Sequence, residues 1–218
     1  MNQNKAFQAV FNLNLFTKHK TLYTMKTKTK APAKKATKKT AVKATRSSSR
    51  IMKSSKESLE DIFEDMLKDI YWAENHLAKA LPKMAKASYN DDLKEAFESH
   101  LKETQGQIAR LEQCFGLLTM KPQGKKCPAM QGLVEEGQEA ISDHASGHAR
   151  DAALIGAAQK VEHYEISSYG TLRTMATVLG RVQCAELMEA NKDEEAETDE
   201  KLTRLAEKIN KLATGDQD

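Results

Sequence analysis

The chain is poor in the residues that build sheets and small cross-linked folds. Only 6% of its 218 residues are aromatic, and four Pro and ten Gly stand against 30% charged residues. That balance favours long helices over strands and tight turns. The three cysteines, Cys114, Cys127 and Cys184, form no C-x-x-C pair and cannot all be bridged. This argues against a secreted disulfide framework or a zinc knuckle and fits a reducing, cytoplasmic compartment. No apolar run approaches the roughly 20 residues that a membrane helix needs, so no membrane partner is expected. The most informative absence is local. Residues 1–56 hold 15 Lys and Arg and not one Asp or Glu, whereas residues 57–218 hold 19 basic and 31 acidic residues. The overall charge of +3 therefore averages a basic tail and an acidic domain.

The tail has little to bury. From Thr24 to Arg50 it is mostly Lys, Thr, Ala, Ser, Arg and Pro, a composition expected to be disordered. One reading of residues 24–56 is a polyelectrolyte arm for non-specific DNA or RNA binding; the other is a solubilising segment. Ahead of it, Ala9-Val10-Phe11, Leu13, Leu15 and Phe16 have the look of a signal or transit segment. Asn12 and Asn14 interrupt the apolar stretch, and no small-residue cleavage site follows. A start at Met25 is the alternative to Met1.

The domain, residues 57–213, reads as helices. Ser54-Ser55-Lys56-Glu57 fits a capping box. Behind it Phe63, Leu67, Ile70, Glu74, Leu77, Leu81 and Met84 step by four and three, the spacing of one buried helical stripe. Pro82 is expected to kink or open this helix. A second helix, opened by the capping pattern at Asp92, carries the stripe Phe97, Leu101, Thr104, Ile108, Leu111, Phe115 and Leu118, with His100, Glu103 and Gln107 along its edge. A long connection, about 121–147, has room for a short helix from Met130 to Ile141. The third long helix, His148 to Leu179, has the stripe Leu154, Ala158, Val161, Glu165, Ser168, Leu172, Met175 and Leu179, ended by Gly180. The fourth follows almost at once, with Cys184, Met188, Asn191, Glu195, Thr198, Leu202, Leu205, Ile209 and Leu212. Connections that run short, long, short make the fold class all-α. They predict a ferritin-like four-helix bundle, with a long crossover between the second and third long helices carrying the extra short helix. A faint repeat supports this, since Glu74, Leu81 and Met84 recur at one offset as Glu165, Leu172 and Met175.

Three of the stripes contain a glutamate: Glu74, Glu165 and Glu195. His100 and Glu103 stand at the edge of the second, Glu162 one turn before Glu165, and Asp199 one turn beyond Glu195. A single glutamate in a stripe is ordinarily solvated or salt-bridged. Several at one level of one core cannot all stay ionised without cations, and Lys and Arg are scarce on these faces. Bound metal answers the charge, and oxygen-rich ligation with one imidazole suits iron or manganese better than structural zinc. Paired ions bridged by glutamates are the known solution on this type of bundle, so two divalent ions are expected. His163 points away from the stripe, and Tyr71 and Tyr169 read as core hydroxyls.

The stretches AENHLAKALPKMAKA, ESHLKETQGQIARLEQ, KKCPAMQGLVEEGQEAI, RDAALIGAAQKVEHYEISSYGTLRTMA and DEEAETDEKLTRLAE closely resemble the YciE/YciF family of ferritin-like stress proteins, over about residues 57–213. The resemblance implies a bundle with a short extra helix, a two-metal site between the helices and a homodimer, in a family tied to stress responses without a settled substrate. The usual ligand pattern on such bundles is one Glu from each of two helices and Glu-x-x-His from the other two. Here the second helix reads His100-x-x-Glu103, in reverse order, and the fourth has no histidine. The expected main ligands are Glu74, Glu103, Glu165 and Glu195, with Glu162, His100 and Asp199 as additional or supporting groups. Three functions remain open at this point: a di-iron or di-manganese carboxylate protein that oxidises ferrous iron or consumes peroxide, a dimeric scaffold whose tail binds nucleic acid, and a bundle that binds metal only for stability.

Overall fold

The computed structural model describes residues 58–215, which form α1 (Leu59–Ala87), α2 (Asp91–Leu117), α3 (Pro128–Asp143), α4 (His148–Val178) and α5 (Val182–Thr214). Among the described residues there is no strand, and no helix is long and apolar enough to cross a membrane. The basic tail of residues 1–56 lies outside them, and so do the nucleic-acid arm, the Ser54 capping box and the alternative start at Met25.

Helix α1 packs on α2 and α4, and α5 packs on the same two. The four long helices thus occupy the corners of a square, with α1 diagonal to α5. Polar pairs fix the directions. Tyr71 Oη donates to Glu112 at 2.8 Å between α1 and α2, and Arg181 meets Glu60 at 2.9 Å where α4 ends beside the start of α1. Lys208 meets Asp92 at 2.6 Å where α5 ends beside the start of α2. Every neighbouring pair is therefore antiparallel and each diagonal pair parallel. The crossover helix α3 lies against α1 and α4. This is the connectivity that the short, long and short links predict.

Local chemistry sets the ends. The capping serine of α1 is Ser58, four residues later than expected: its Oγ accepts from Asp61 N at 3.1 Å, and Asp61 Oδ2 accepts from Ser58 N at 2.9 Å. Asn90, rather than the Asp92 pattern, caps α2 by accepting from Leu93 N at 3.1 Å. Helices α2 and α4 end in the same motif. Met120 N reaches Phe115 O at 2.9 Å around Thr119 (φ 58°), and Arg181 N reaches Ala176 O at 2.8 Å around Gly180 (φ 70°). The left-handed conformation suits Gly180; at Thr119 it costs on the order of 1 kcal/mol. Helix α1 runs unbroken through Pro82, because Leu81, Met84 and Ala85 are buried around it and their packing holds the turn.

The α1 stripe is buried as expected, every member from Phe63 to Met84. The inward line of α2 keeps Phe97, Thr104, Leu111 and Phe115 as expected, but Leu93, His100, Gln107 and Cys114 are also buried while Leu101, Ile108 and Leu118 are only half-buried. Apolar spacing puts the alternate members of the line one position off, because the core here is polar where His100 and Gln107 enter it. In α4 the inward line drifts to Leu154, Ala158, Glu162, Glu165, Tyr169, Leu172 and Ala176, leaving Ser168 and Met175 on its shoulder. A strict four-three repeat averages 3.5 residues per turn, and a straight helix at 3.6 walks off it.

Asp151, in the first turn of α4, is fully buried and accepts from the backbone N–H groups of Tyr89 and Asn90 at 2.8 Å each. It ties the α1–α2 link to α4. Asp151→Ala leaves both donors orphaned. The expected cost is about 2–4 kcal/mol, read as a lower urea midpoint of equal size with and without added metal; an unchanged midpoint would remove this tie from the account of the fold.

Candidate metal centre

Each long helix sends an acid or imidazole into one mid-bundle layer: Glu74 from α1, His100 from α2, Glu162 and Glu165 from α4, and Glu195 from α5. All five are exposed by 2% or less. The layer sits within an apolar sleeve; along α1, Phe63, Leu67 and Ile70 lie on one side of Glu74 and Leu77, Leu81 and Met84 on the other. Ligand atoms of His100, Glu162, Glu165 and Glu195 all lie within 4.8 Å of one another. His100 Nε2 is 3.4 Å from Glu162 Oε1 and 4.0 Å from Glu195 Oε2. Glu74 adjoins this group through Glu165 and accepts a hydrogen bond from Tyr169 Oη.

The expected residues therefore fall into two sets. Glu74, Glu162, Glu165, Glu195 and His100 converge. Glu103 and Asp199 stand at the rim. Glu103 is 30% exposed in its side chain, lies 3.6 Å from His100 Nδ1 and 3.8 Å from Lys201 Nζ, and accepts from Ser99 and Thr198 at 3.2 Å each. Asp199 accepts from Gln159 at 3.1 Å and faces the exposed His163 at 3.4 Å. Glu162, ranked above as an additional group, is as buried as Glu165, and His100 stands at the centre of the cluster rather than at its edge. These changes follow from the displaced α2 line and the drift of α4.

Sequence reasoning gave no role to the polar groups bordering the layer. Tyr169 is a core hydroxyl, as expected, but one aimed at Glu74. Gln107 and Asn191 are fully buried. Arg110 pairs with Asn191 and Glu194, and Gln107 donates to Glu194 at 3.3 Å. The signal was available in the spacing, since Gln107 follows His100 by two turns and Asn191 precedes Glu195 by one.

Electrostatics decide what this layer can be. Burial first, then the neighbouring carboxylates, raise Glu74, Glu162 and Glu165 well above the usual carboxylate range, and burial raises Glu195. Burial and the same carboxylates keep the Tyr169 phenol protonated, which suits it to donate. Glu103 behaves oppositely: the His100 ring, with Lys201 and Thr198, holds it down to about 2. Eight buried ligand-type atoms have no hydrogen-bond partner: Glu74 Oε2, Glu162 Oε2, both carboxylate oxygens of Glu165 and of Glu195, and both ring nitrogens of His100. Orphaned acceptors at this density are costly in a dry core. A cation among them removes the cost, so the donor set fits a metal.

Known proteins share this arrangement of helices. A family model described as a domain of unknown function, DUF892, matches residues 58–214. Protein YciF of Escherichia coli (strain K12) is 48% identical over 159 residues, which cover 72% of this chain and 96% of that protein. The crystal structure of the E. coli protein, described as a stress protein, matches with a TM-score of 0.68 over 70% of this chain and 97% of its own. The solved structure of YcfI from Rhodopseudomonas palustris is 42% identical, with a TM-score of 0.67 over 69% of this chain and 96% of its own.

The raised carboxyl groups set the pH dependence of the metal-free protein. A carboxyl raised on folding binds more protons folded than unfolded, so its stabilising effect is complete below the unfolded value, about 4.3, and is lost as pH rises through the folded value. With chelator present, the thermal midpoint should fall between pH 5 and pH 8. Glu103, held low, changes only in the acid range below that window. Glu165→Gln should recover on the order of 1–3 kcal/mol at pH 8 by removing one buried charge. A midpoint flat in pH and unmoved by the substitution would show that the layer carries no such charge cost.

Proposed function

The chain belongs to the DUF892 family, and from its carboxylate layer we propose that the bundle is a ferritin-like metal protein holding two divalent ions, iron or manganese, in a response to stress. The observation that carries this reading is the set of eight buried ligand atoms without partners. Charge supports the ion count: Glu74, Glu162, Glu165 and Glu195 as anions carry four negative charges, which two divalent ions balance. The chemistry of the donors supports the metal, since four carboxylates and one imidazole are harder than the thiolate and imidazole sets of structural zinc.

Glu74, Glu162, Glu165, Glu195 and His100 would hold the ions, with Glu103 at the rim beside His100 and Asp199 beside Glu162. Two such ions would supply Lewis acidity and electrons for dioxygen or peroxide chemistry, with ferrous oxidation and peroxide consumption as the reactions to test. The protein's part is to exclude water with the apolar sleeve, to hold His100 between Glu103 and Glu162, and to present the Tyr169 hydroxyl proton at Glu74. The description of the E. coli relative as a stress protein supports placing this chain in oxidative or general stress, and the resemblance of the sequence supports a homodimer.

A second, compatible reading rests on charge. Residues 1–56 carry 15 basic and no acidic residues, a composition suited to non-specific DNA or RNA phosphates.

Protein purified without chelator should hold about two metals per chain by elemental analysis. Glu74→Ala combined with Glu165→Ala should lower metal affinity more than about 100-fold. Two metals retained in that double variant would refute the ligand set, and no metal in the parent protein would refute the reading. For the tail, a gel shift should show the full chain binding DNA far more tightly than a chain starting at Glu57, with affinity falling steeply as salt rises; equal, salt-insensitive binding by both forms would end that reading.

A further inference from the structure

The metal layer leaves the cysteines unexplained, and two of them face each other. Cys114 is in the last turn of α2 and Cys184 in the first turn of α5. Both are free and buried, at 0% and 2% exposure. The Cys184 thiol donates to the Cys114 carbonyl oxygen at 3.8 Å, which makes the two residues neighbours, and each shifts the ionisation of the other. We propose that Cys114 and Cys184 are a peroxide-oxidised dithiol that closes to an intramolecular disulfide joining the end of α2 to the start of α5.

The two thiols are unequal in the way such chemistry needs. Cys184 lines a cavity of about 250 Å³ at the end of the bundle, together with Leu117, Leu118, Gly180 and Arg181; Cys114 does not line it. Cys184 is the third residue of α5, where unpaired backbone N–H groups favour an anion. The neighbouring Cys114 side chain, and then Arg181, lower its thiol, while the neighbouring Cys184 side chain and burial raise Cys114. The cysteine that lines the cavity is thus the one disposed to ionise, and Cys114, which does not line it, is fully buried beside it. Cys127 is the contrast. It is buried, its thiol is raised by burial, and its sulfur meets the Tyr164 hydroxyl at 3.1 Å rather than another thiol.

In the reaction, the Cys184 thiolate attacks one oxygen of hydrogen peroxide. The O–O bond breaks, the leaving hydroxide takes a proton to become water, and Cys184 becomes a sulfenic acid. Cys114 then gives up its proton, which the departing hydroxide of the next step takes. The Cys114 thiolate then attacks the Cys184 sulfur, the S–O bond breaks, and hydroxide leaves as a second water. Two thiols and one peroxide give one disulfide and two waters: the sulfurs are oxidised and the peroxide reduced. A dithiol reductant reverses it by exchange. The pair is remote from the metal layer. Cys184 lies 11 residues before Glu195 along α5, about 16 Å.

The test treats the reduced full chain with equimolar hydrogen peroxide, traps remaining thiols with N-ethylmaleimide and reads intact mass and peptide maps. The expected product has the mass of a single covalent chain, binds one maleimide, at Cys127, and contains a peptide pair linked through Cys114 and Cys184, its two thiols lost at about 2 Da before alkylation. Cys127→Ser should form the same bond. Cys114→Ser should stall with Cys184 as a sulfenic acid captured by dimedone, and Cys184→Ser should give neither product. Before oxidation, Cys184 should be alkylated at least about tenfold faster than Cys127. The same disulfide should form when chelator is present throughout, which separates this site from the metal reading. Three alkylatable thiols after peroxide, a bond between chains, or Cys127 reacting as fast as Cys184 would each overturn the proposal.

Discussion

Four glutamates from three helices cannot share one layer of a dry core as anions. Each raises the cost of ionising the others, and the apolar sleeve above and below denies them water. The structure concentrates the problem rather than dispersing it. Glu74, Glu162, Glu165 and Glu195 are each exposed by 1% or less, and among the described residues His100 is the one imidazole brought to them. Cations on the described helices stay at the edge: Arg110 turns to Asn191 and Glu194, and Lys201 meets Glu103 from the rim. Protons or metal ions have to complete the layer.

That requirement explains where the fold invests its polar contacts. The bundle's direction is fixed by pairs at its ends and flanks, such as Arg181 with Glu60 and Lys208 with Asp92, which are exposed and individually worth little. The buried tie through Asp151 to the α1–α2 link is different in kind, because it satisfies two backbone donors that have no other partner. Stability comes from apolar packing along α1 and its neighbours, and the middle layer trades part of it for a site. Buried ionisable groups without partners are poor devices for holding a fold together and good ones for holding an ion.

The thiol pair at the bundle's end belongs to the same economy of position. Helices α2 and α5 contribute His100 and Glu195 to the middle layer and Cys114 and Cys184 to the end, so the same antiparallel pairing that builds the metal layer brings two sulfurs together. One element pair thus carries two chemistries at separate levels.

The helices, their order and the level of Glu74 and Glu165 were legible in the chain, because apolar spacing and turn residues act locally and a helix with a four-three stripe has one way to bury it. The charge split between residues 1–56 and 57–218 was legible for the same reason: it is additive. What the chain left open was everything that depends on rotation about a helix axis. A one-position displacement of α2 took His100 and Gln107 from the edge into the core and left Glu103 at the rim, and the drift of α4 put Glu162 and Tyr169 inward. Spacing fixes a periodicity but not its phase once the inward residues are themselves polar, since a buried histidine and an exposed one look alike in a hydropathy pattern. Only packing of all four helices together set that phase, and with it which carboxylates meet.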